Sequence, residues 1–491
     1  MSAAAAYTPD TPLDLGEVYH RSNEPVTDEV EATLELVEGA VPEGLRGVLF
    51  RNGPGRLEIY GQRYGHLFDG DGHLNRFAFT DRGVVYRNRY VRTREFLKEE
   101  AARKILFRNF GTNIPGGFHK NLLRMRFKNA ANTSIVMHAG RLHALWEGGV
   151  PHRIDPHTLD TIVRDDLGGA LRNDRSAIDR LIAPELPYSA HPRLDPETGE
   201  LFNFGTVSGL KPGLMLYRLD ARGVCVQRER MTLPAKSFLH DFTLTPRFRI
   251  FFLTPVAFDM TRTLLGLASP VETLRAAPGP TTILLLPRRG TQARSFTARP
   301  CFVFHFANAF EDGPHVIIDA QRMDRLPVVP VAMRPRSRDE GHPQSPLTRY
   351  ILDTRTDTVE ERPLTEHSGE LPTINPAYWT RPHRYTWSLG PLDRPEPFAT
   401  GLLKVDAETR SAISRDFAPN LTGEPIFVPR PGSAAEDDGW LLSMCYDAMR
   451  HTGELLVLDA SDLRTVCRLR MPHHSPLGFH GSWVPAGQLP A

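Results

Sequence analysis

The chain has 491 residues, enough for a large core, and its 59 basic and 58 acidic residues leave a formal net charge of +1. It therefore presents no global field for collecting nucleic acid or another polyanion. Its four cysteines, Cys225, Cys301, Cys445 and Cys467, lie far apart and form no C-x-x-C pair, which argues against a zinc ribbon or a disulfide framework and fits a reducing cytoplasm.

Along the chain, 42 prolines and 39 glycines punctuate short apolar runs, a pattern that predicts many brief strands rather than long helices. Residues 1–10 carry neither the basic start nor the apolar run of a secretory signal. No stretch has the length and apolarity of a membrane-spanning helix. Residues 94–107 are predicted helical, with Phe96, Leu97, Ala101, Ile105 and Leu106 close to one face and charges opposite. Beyond them Leu122, Leu123, Met125 and Phe127 alternate with Lys120, Arg124, Arg126 and Lys128. Such a basic amphipathic insertion either dips into a membrane surface or packs its apolar face on its own core. Residues 258–276, with Met260, Leu264, Leu265, Leu267 and Leu274, form a second insertion of the same kind.

A recurring unit sharpens the strand pattern: an apolar run ends in Asp, and a turn leads into the next run. It is seen at Asp155, Asp195, Asp220, Asp353, Asp406 and Asp459. The carboxylate of such an Asp can accept bonds from backbone N–H groups two residues on and so cap a hairpin turn. The last three aspartates are 53 residues apart each time, close to the repeat of a propeller blade, although the earlier spacings of 40 and 25 are irregular. No low-complexity linker divides the chain, so residues 1–491 are expected to form one domain.

Four histidines carry the chemistry. His191 precedes Pro192, His240 lies in Phe238-Leu239-His240-Asp241-Phe242, His305 lies between Phe304 and Phe306, and His480 lies between Phe479 and Gly481. An imidazole among apolar groups needs partners for its ring nitrogens, and a shared metal would supply one to all four. Their spacings of 49, 65 and 175 residues exclude a local zinc motif and suit different blades each sending one residue to an axis. An all-nitrogen neutral site suits iron, copper, nickel or zinc rather than calcium or magnesium. With no cysteine beside these histidines, a closed structural zinc is disfavoured, and an open ferrous site fits better. A metal-bound imidazole passes its other N–H to a carboxylate or carbonyl, and Glu147, Glu370 and Glu424, each embedded in apolar sequence, are the candidates.

These residues, together with several longer motifs, give the chain its resemblance to a known family. Arg51-Asn52-Gly53-Pro54-Gly55, His66-Leu67-Phe68-Asp69-Gly70-Asp71-Gly72, Ala144-Leu145-Trp146-Glu147-Gly148-Gly149, Gly423-Glu424-Pro425-Ile426-Phe427 and Phe479-His480-Gly481 resemble the carotenoid cleavage oxygenases over essentially the whole chain, most of all the retinal-forming, apocarotenoid-cleaving branch. The resemblance implies an all-β, seven-bladed β-propeller with a helical and loop cap, the cap insertions falling at about 94–127 and 258–276. It implies a non-haem Fe(II) on the axis held by His191, His240, His305 and His480. Glu147, Glu370 and Glu424 would hold His240, His305 and His480 respectively, and His191 would have no such partner. Thr133 would lie beside an open coordination position. Leu371 and Phe306 depart from the family, where Phe is common after the second of these glutamates and a second His after the third ligand.

The implied reaction is cleavage of a conjugated carbon–carbon double bond by O₂ to two carbonyl products, with Trp146, Phe238 and Phe304 as candidate walls of an apolar substrate tunnel. The first expectation is an apocarotenal cut at its 15,15′ bond to give retinal. A second is a phenolic stilbene or phenylpropene cut to aromatic aldehydes, with Lys128 binding the phenol as a lysine does in stilbene-cleaving relatives. A third is a propeller that binds ligands without chemistry, which would require the four histidines not to converge or the site to stay metal-free.

Overall fold

The computed structural model describes residues 13–174, 183–207, 212–234, 237–326, 343–392 and 399–490. The short apolar runs form seven antiparallel sheets of four to six strands, the blades of a β-propeller, with two further two-stranded ribbons. The innermost strands, in blade order, are Gly481–Pro485, Ser134–His138, Arg193–Leu194, Thr243–Leu244, Phe302–Asp312, Glu370–Thr373 and the pair Leu421–Thr422 with Ile426–Pro429. Two distant segments close the ring. Gly481–Pro485 pairs with Gly47–Arg56 in the first blade, while Glu35–Gly39 pairs with Thr465–Arg470 at the rim of the seventh.

Burial explains why the middle strands read as unbroken apolar runs. Each is covered on both faces by neighbouring blades, and all nine residues of Gly439–Asp447 are buried. Outer strands alternate instead, as in Cys225–Thr232. Between blades the faces interlock: Leu49, Phe77 and Tyr86 meet Trp440, Leu442 and Leu455, while Ile250 and Phe252 meet Phe306 and Tyr350. Each such side chain contributes about 1.5–3 kcal/mol relative to exposure.

The aspartate units are turn caps, as the sequence predicts. Asp155 accepts from the N–H groups of His157 and Thr158, Asp220 from Arg222 and Val224, and Asp406 from Glu408 and Thr409. Asp195, Asp353 and Asp459 accept from Glu197, Arg355 and Ser461.

The insertions differ from expectation in their helix content. The first helix of the cap covers only Arg94–Ala102, because Arg103 turns left-handed at φ 51° and ends it. Phe96 is buried and Leu97 is exposed, while Ile105 is buried beyond the helix against Ile59 and Tyr64. Between 118 and 127 there is one 3₁₀ turn, Phe118–Lys120, and a bridge from Phe127 to Arg108. The 258–276 insertion holds a short helix, Met260–Leu264, and a ribbon pairing Val256–Phe258 with Leu274–Ala276. The Leu123 N–H donates to the Leu264 carbonyl at 2.8 Å, so the two insertions form one cap surface.

Candidate metal centre

The innermost strand of every blade delivers one predicted site residue to the axis. His480 directly precedes the strand of the first blade and Thr133 that of the second. His191 and His240 precede those of the third and fourth, and His305 lies within that of the fifth. Glu370 begins the inner strand of the sixth, and Glu424 stands between the two short inner strands of the seventh. Glu147 comes from the loop after Arg141–Leu145 in the second blade. One ring nitrogen from each of His191, His240, His305 and His480 lies within 4.8 Å of the others, with His191 Nε2 2.9 Å from His240 Nε2.

The carboxylates fix the tautomers. Glu147 is 2.6 Å from His240 Nδ1, Glu370 is 2.6 Å from His305 Nδ1, and Glu424 Oε1 is 2.8 Å from His480 Nδ1. A carboxylate accepts hydrogen bonds, so each Nδ1 carries the proton and each Nε2 turns a lone pair toward the centre. His305 Nε2 is buried with no hydrogen-bond partner among the described residues. The four convergent ring nitrogens are a donor set that fits a transition metal. These residues would hold it, with the fourth ring, His191, lacking a carboxylate partner among the described residues.

The local electrostatics favour a neutral ring at His191 and His480 and oppose it at His240. Burial drives the His191 imidazolium well below its ordinary range, reinforced by the neighbouring imidazoles. Burial also lowers His480 against the opposing charge of Glu424. At His240 burial again opposes the charged form, but the charge and hydrogen bond of Glu147 outweigh it. Glu424 itself is desolvated, yet His480 and Arg51 hold its carboxyl below the ordinary range.

Arg51 went unnoticed in the sequence beyond its place in a motif. Its buried guanidinium pairs with Glu424 Oε2, which also accepts from the Gly481 N–H at 2.9 Å, while its other nitrogen reaches the Phe479 carbonyl at 3.1 Å. An Arg two residues before a motif glycine was the available signal. Thr133 joins the site through its backbone, its carbonyl accepting from the His480 N–H at 3.2 Å.

Of the predicted tunnel residues, Phe304 stands edge-on to His240 with ring centroids 5.3 Å apart, and Phe238 lies 6.4 Å from Phe304. The aromatic row continues outward: Phe238 stacks on Phe110, and Phe110 on Phe68, which meets Phe479 edge-on. Phe110, in the first cap insertion, and Phe68, in the 3₁₀ turn Leu67–Asp69, were not singled out, because no ligand lies beside either in sequence. Trp146 packs over Gly148 and Gly149, directly before Glu147.

Lys128 requires a correction. Its side chain is fully buried, and its three ammonium donors are taken by Asp71 at 2.5 Å, Glu99 at 2.7 Å and the Tyr64 hydroxyl at 2.5 Å. With every donor satisfied inside the protein, it offers none to a phenol.

A propeller whose axis gathers four imidazoles, three of them backed by carboxylates, has the donors to hold a transition metal. Residues 23–485 match the retinal pigment epithelial membrane protein (RPE65) family. The chain belongs to that family, the carotenoid oxygenases, whose members cleave carbon–carbon double bonds with O₂. It is 39% identical to the apocarotenoid-15,15′-oxygenase of Synechocystis sp., over 92% of this chain and 93% of that protein. It is 30% identical to an isoeugenol monooxygenase of Pseudomonas putida, over 91% of this chain and 93% of that one. The crystal structure of the cobalt-substituted Synechocystis enzyme superposes with a TM-score of 0.88 at 37% identity, covering 96% of this chain and 99% of the other. The protein is accordingly an oxidoreductase that incorporates O₂.

Proposed function

We propose that this protein is an Fe(II)-dependent oxygenase that cleaves an apocarotenoid, such as an apocarotenal, at its 15,15′ double bond to give retinal. The observation that carries the substrate class is the row Phe304, Phe238, Phe110 and Phe68 leading away from His240, which suits a long conjugated hydrocarbon. The sequestered ammonium of Lys128 weighs against a phenolic substrate. Bound iron would supply O₂ activation next to the alkene. The chain's own part is to hold four neutral imidazoles through Glu147, Glu370 and Glu424, to restrict the open side with Thr133, and to place one double bond by packing against Trp146, Phe238 and Phe304. The test is reconstitution with Fe(II) under anaerobic conditions, then O₂ with an apocarotenal or, separately, a hydroxystilbene, with products identified by mass. Retinal from the first is the expected result; aromatic aldehyde from the second alone would move the protein to phenolic substrates, and no cleavage of either would overturn the assignment.

Residues 1–491 are read as one domain of a cytoplasmic protein that touches membranes peripherally. No helix among the described residues is long and apolar enough to cross a membrane. Phe118, Leu122, Leu123, Leu264, Leu265 and Leu267 are all exposed on the joined cap surface, which is a reason to expect an apolar substrate to be taken from a bilayer. Liposome co-sedimentation that is lost on Leu123→Glu with Leu267→Glu supports this contact, and sedimentation unchanged by the pair refutes it.

A further inference from the structure

Deeper along the axis, next to the imidazoles, three ligand-bearing strands meet at one ion pair. Asp241 follows His240, Arg193 lies two residues after His191, and Phe306 follows His305. The Asp241 carboxylate is 2.5 Å from Arg193 Nη2 and accepts from the Phe306 N–H at 3.1 Å through the same oxygen, Oδ2. Its other oxygen accepts from the Phe242 N–H at 2.7 Å. Arg193 donates in turn to the Phe242 carbonyl at 2.9 Å and the Phe306 carbonyl at 3.5 Å, and its guanidinium lies 4.9 Å from the centre of the Trp379 ring. The Asp241 side chain is 1% exposed and that of Arg193 13%.

We propose that Arg193 and Asp241 are positioning residues that set the mutual distances of His191, His240 and His305, and so the metal affinity of the site. The proposal rests on the metal-centre reading above. Its force comes from an asymmetry in the ligand set. Three rings are steered from behind by carboxylates, but His191 has none, and beyond the ring itself it is held through the backbone. Its N–H donates to Ser189 Oγ at 3.3 Å, and the Ser189 carbonyl accepts from the buried Asn203 amide at 2.8 Å. The remaining constraint is the chain running two residues on into Arg193. Any movement of the Asp241 carboxylate is passed at once to the residue after His240, the residue after His305 and, through the guanidinium, to the segment of His191. His480 stands outside this linkage, since Glu424 and Arg51 hold it. A buried carboxylate bonded to one guanidinium nitrogen and two backbone N–H groups, with the guanidinium itself fixed by two backbone carbonyls, is tightly placed, so it sets distances where apolar packing alone would tolerate drift.

The test measures Co(II) affinity of the full chain by competition with a chelator, together with the Co(II) visible spectrum at saturation and the melting temperature without metal. The variants are Asp241→Asn, Arg193→Lys and, as a matched buried pair within a blade, Asp319→Asn, whose carboxylate holds Arg349 at 2.8 Å. The expected result is a loss of about 10–100-fold in Co(II) affinity for Asp241→Asn and Arg193→Lys, with an altered spectrum, while Asp319→Asn loses melting temperature but keeps affinity and spectrum. Should Asp241→Asn fail to fold, Arg193→Lys, which keeps the charge and loses the fork, gives the reading. Affinity within twofold of the parent and an unchanged spectrum in the folded variants would overturn the proposal whatever happens to the melting temperature. Failure of the parent protein itself to bind Co(II) would overturn the metal-centre reading and the proposal with it.

Discussion

Replacing Lys128 by Met separates a structural lysine from a substrate-binding one. The ammonium sits 2.7 Å from Glu99 and 2.5 Å from Asp71, both side chains at most 1% exposed. At an effective dielectric constant near 20, a contact of that length is worth about 6 kcal/mol of gross attraction, against a desolvation penalty of several kcal/mol per ion. The substitution leaves the two carboxylates unequal. Asp71 keeps Arg56 at 2.9 Å, whereas Glu99 retains only the Tyr64 hydroxyl and the N–H groups of Leu106 and Phe107. An uncompensated buried carboxylate is the expensive product, so Lys128→Met should cost about 3–5 kcal/mol. The double variant with Glu99→Gln, which removes that charge, should recover most of the loss. Urea unfolding followed by circular dichroism reads both, and the folded fraction of Lys128→Met should still cleave an apocarotenal. A loss under about 1 kcal/mol, or a double variant no better than the single one, would refute the reasoning, as would a folded variant that had lost cleavage of a hydroxystilbene specifically.

Glu370→Gln should lower iron or Co(II) affinity about 10–100-fold by freeing the tautomer of His305, and unchanged metal content after dialysis would contradict that role. Gly53→Ala should lower both melting temperature and metal content, because a Cβ at Gly53 would fall 2.2 Å from the Gly478 Cα, two residues before His480; normal metal binding would show that the strand can yield without moving the ligand. Burial pushes His73 down to about 3 and His152 down to about 4. Between these values and the ordinary 6.5 the unfolded chain binds protons that the native chain refuses, so stability is full above pH 6.5 and falls as pH drops toward 4. His152→Gln should flatten that acid limb by about 3 kcal/mol at pH 4 relative to pH 7, read from urea midpoints at the two values; an unchanged slope would rule His152 out as a contributor.

The architecture was legible where local chemistry writes it. The six aspartate caps follow from side chain and turn alone, and each is present. The four histidines stood out because imidazole in apolar sequence is costly, and they converge. What stayed hidden depends on contacts between residues far apart in the chain. Arg51 meets Glu424 across 373 residues, and Phe110 meets Phe238 across the cap. Lys128 looked like part of an alternating basic segment. It reads as surface until Asp71 and Glu99, from other elements, close around it. The helix expected over 94–107 ends early because Glu99 near its last turn captures the N–H groups of Leu106 and Phe107, turning the chain back on itself.

The three glutamates hold their histidines in unequal environments, and the inequality bears on what the centre can do. Glu424 shares its charge with Arg51 and the Gly481 N–H, which withdraws electron density from the carboxylate behind His480. The Glu147 side chain is 30% exposed, yet its charge and hydrogen bond still outweigh burial at His240. Among the described residues Glu370 meets no cation; beside His305 it bonds only the N–H of its own neighbour Leu371 at 2.7 Å, and its second oxygen is buried without a partner. The backbone carries a cost at the same place: Leu371 sits at φ 53°, a left-handed position that a branched apolar residue adopts only when its surroundings require it, at an expense on the order of 1 kcal/mol. The strained turn brings the Leu371 N–H onto the same Glu370 oxygen that meets His305 Nδ1, so the backbone and the imidazole hold that carboxylate from two sides.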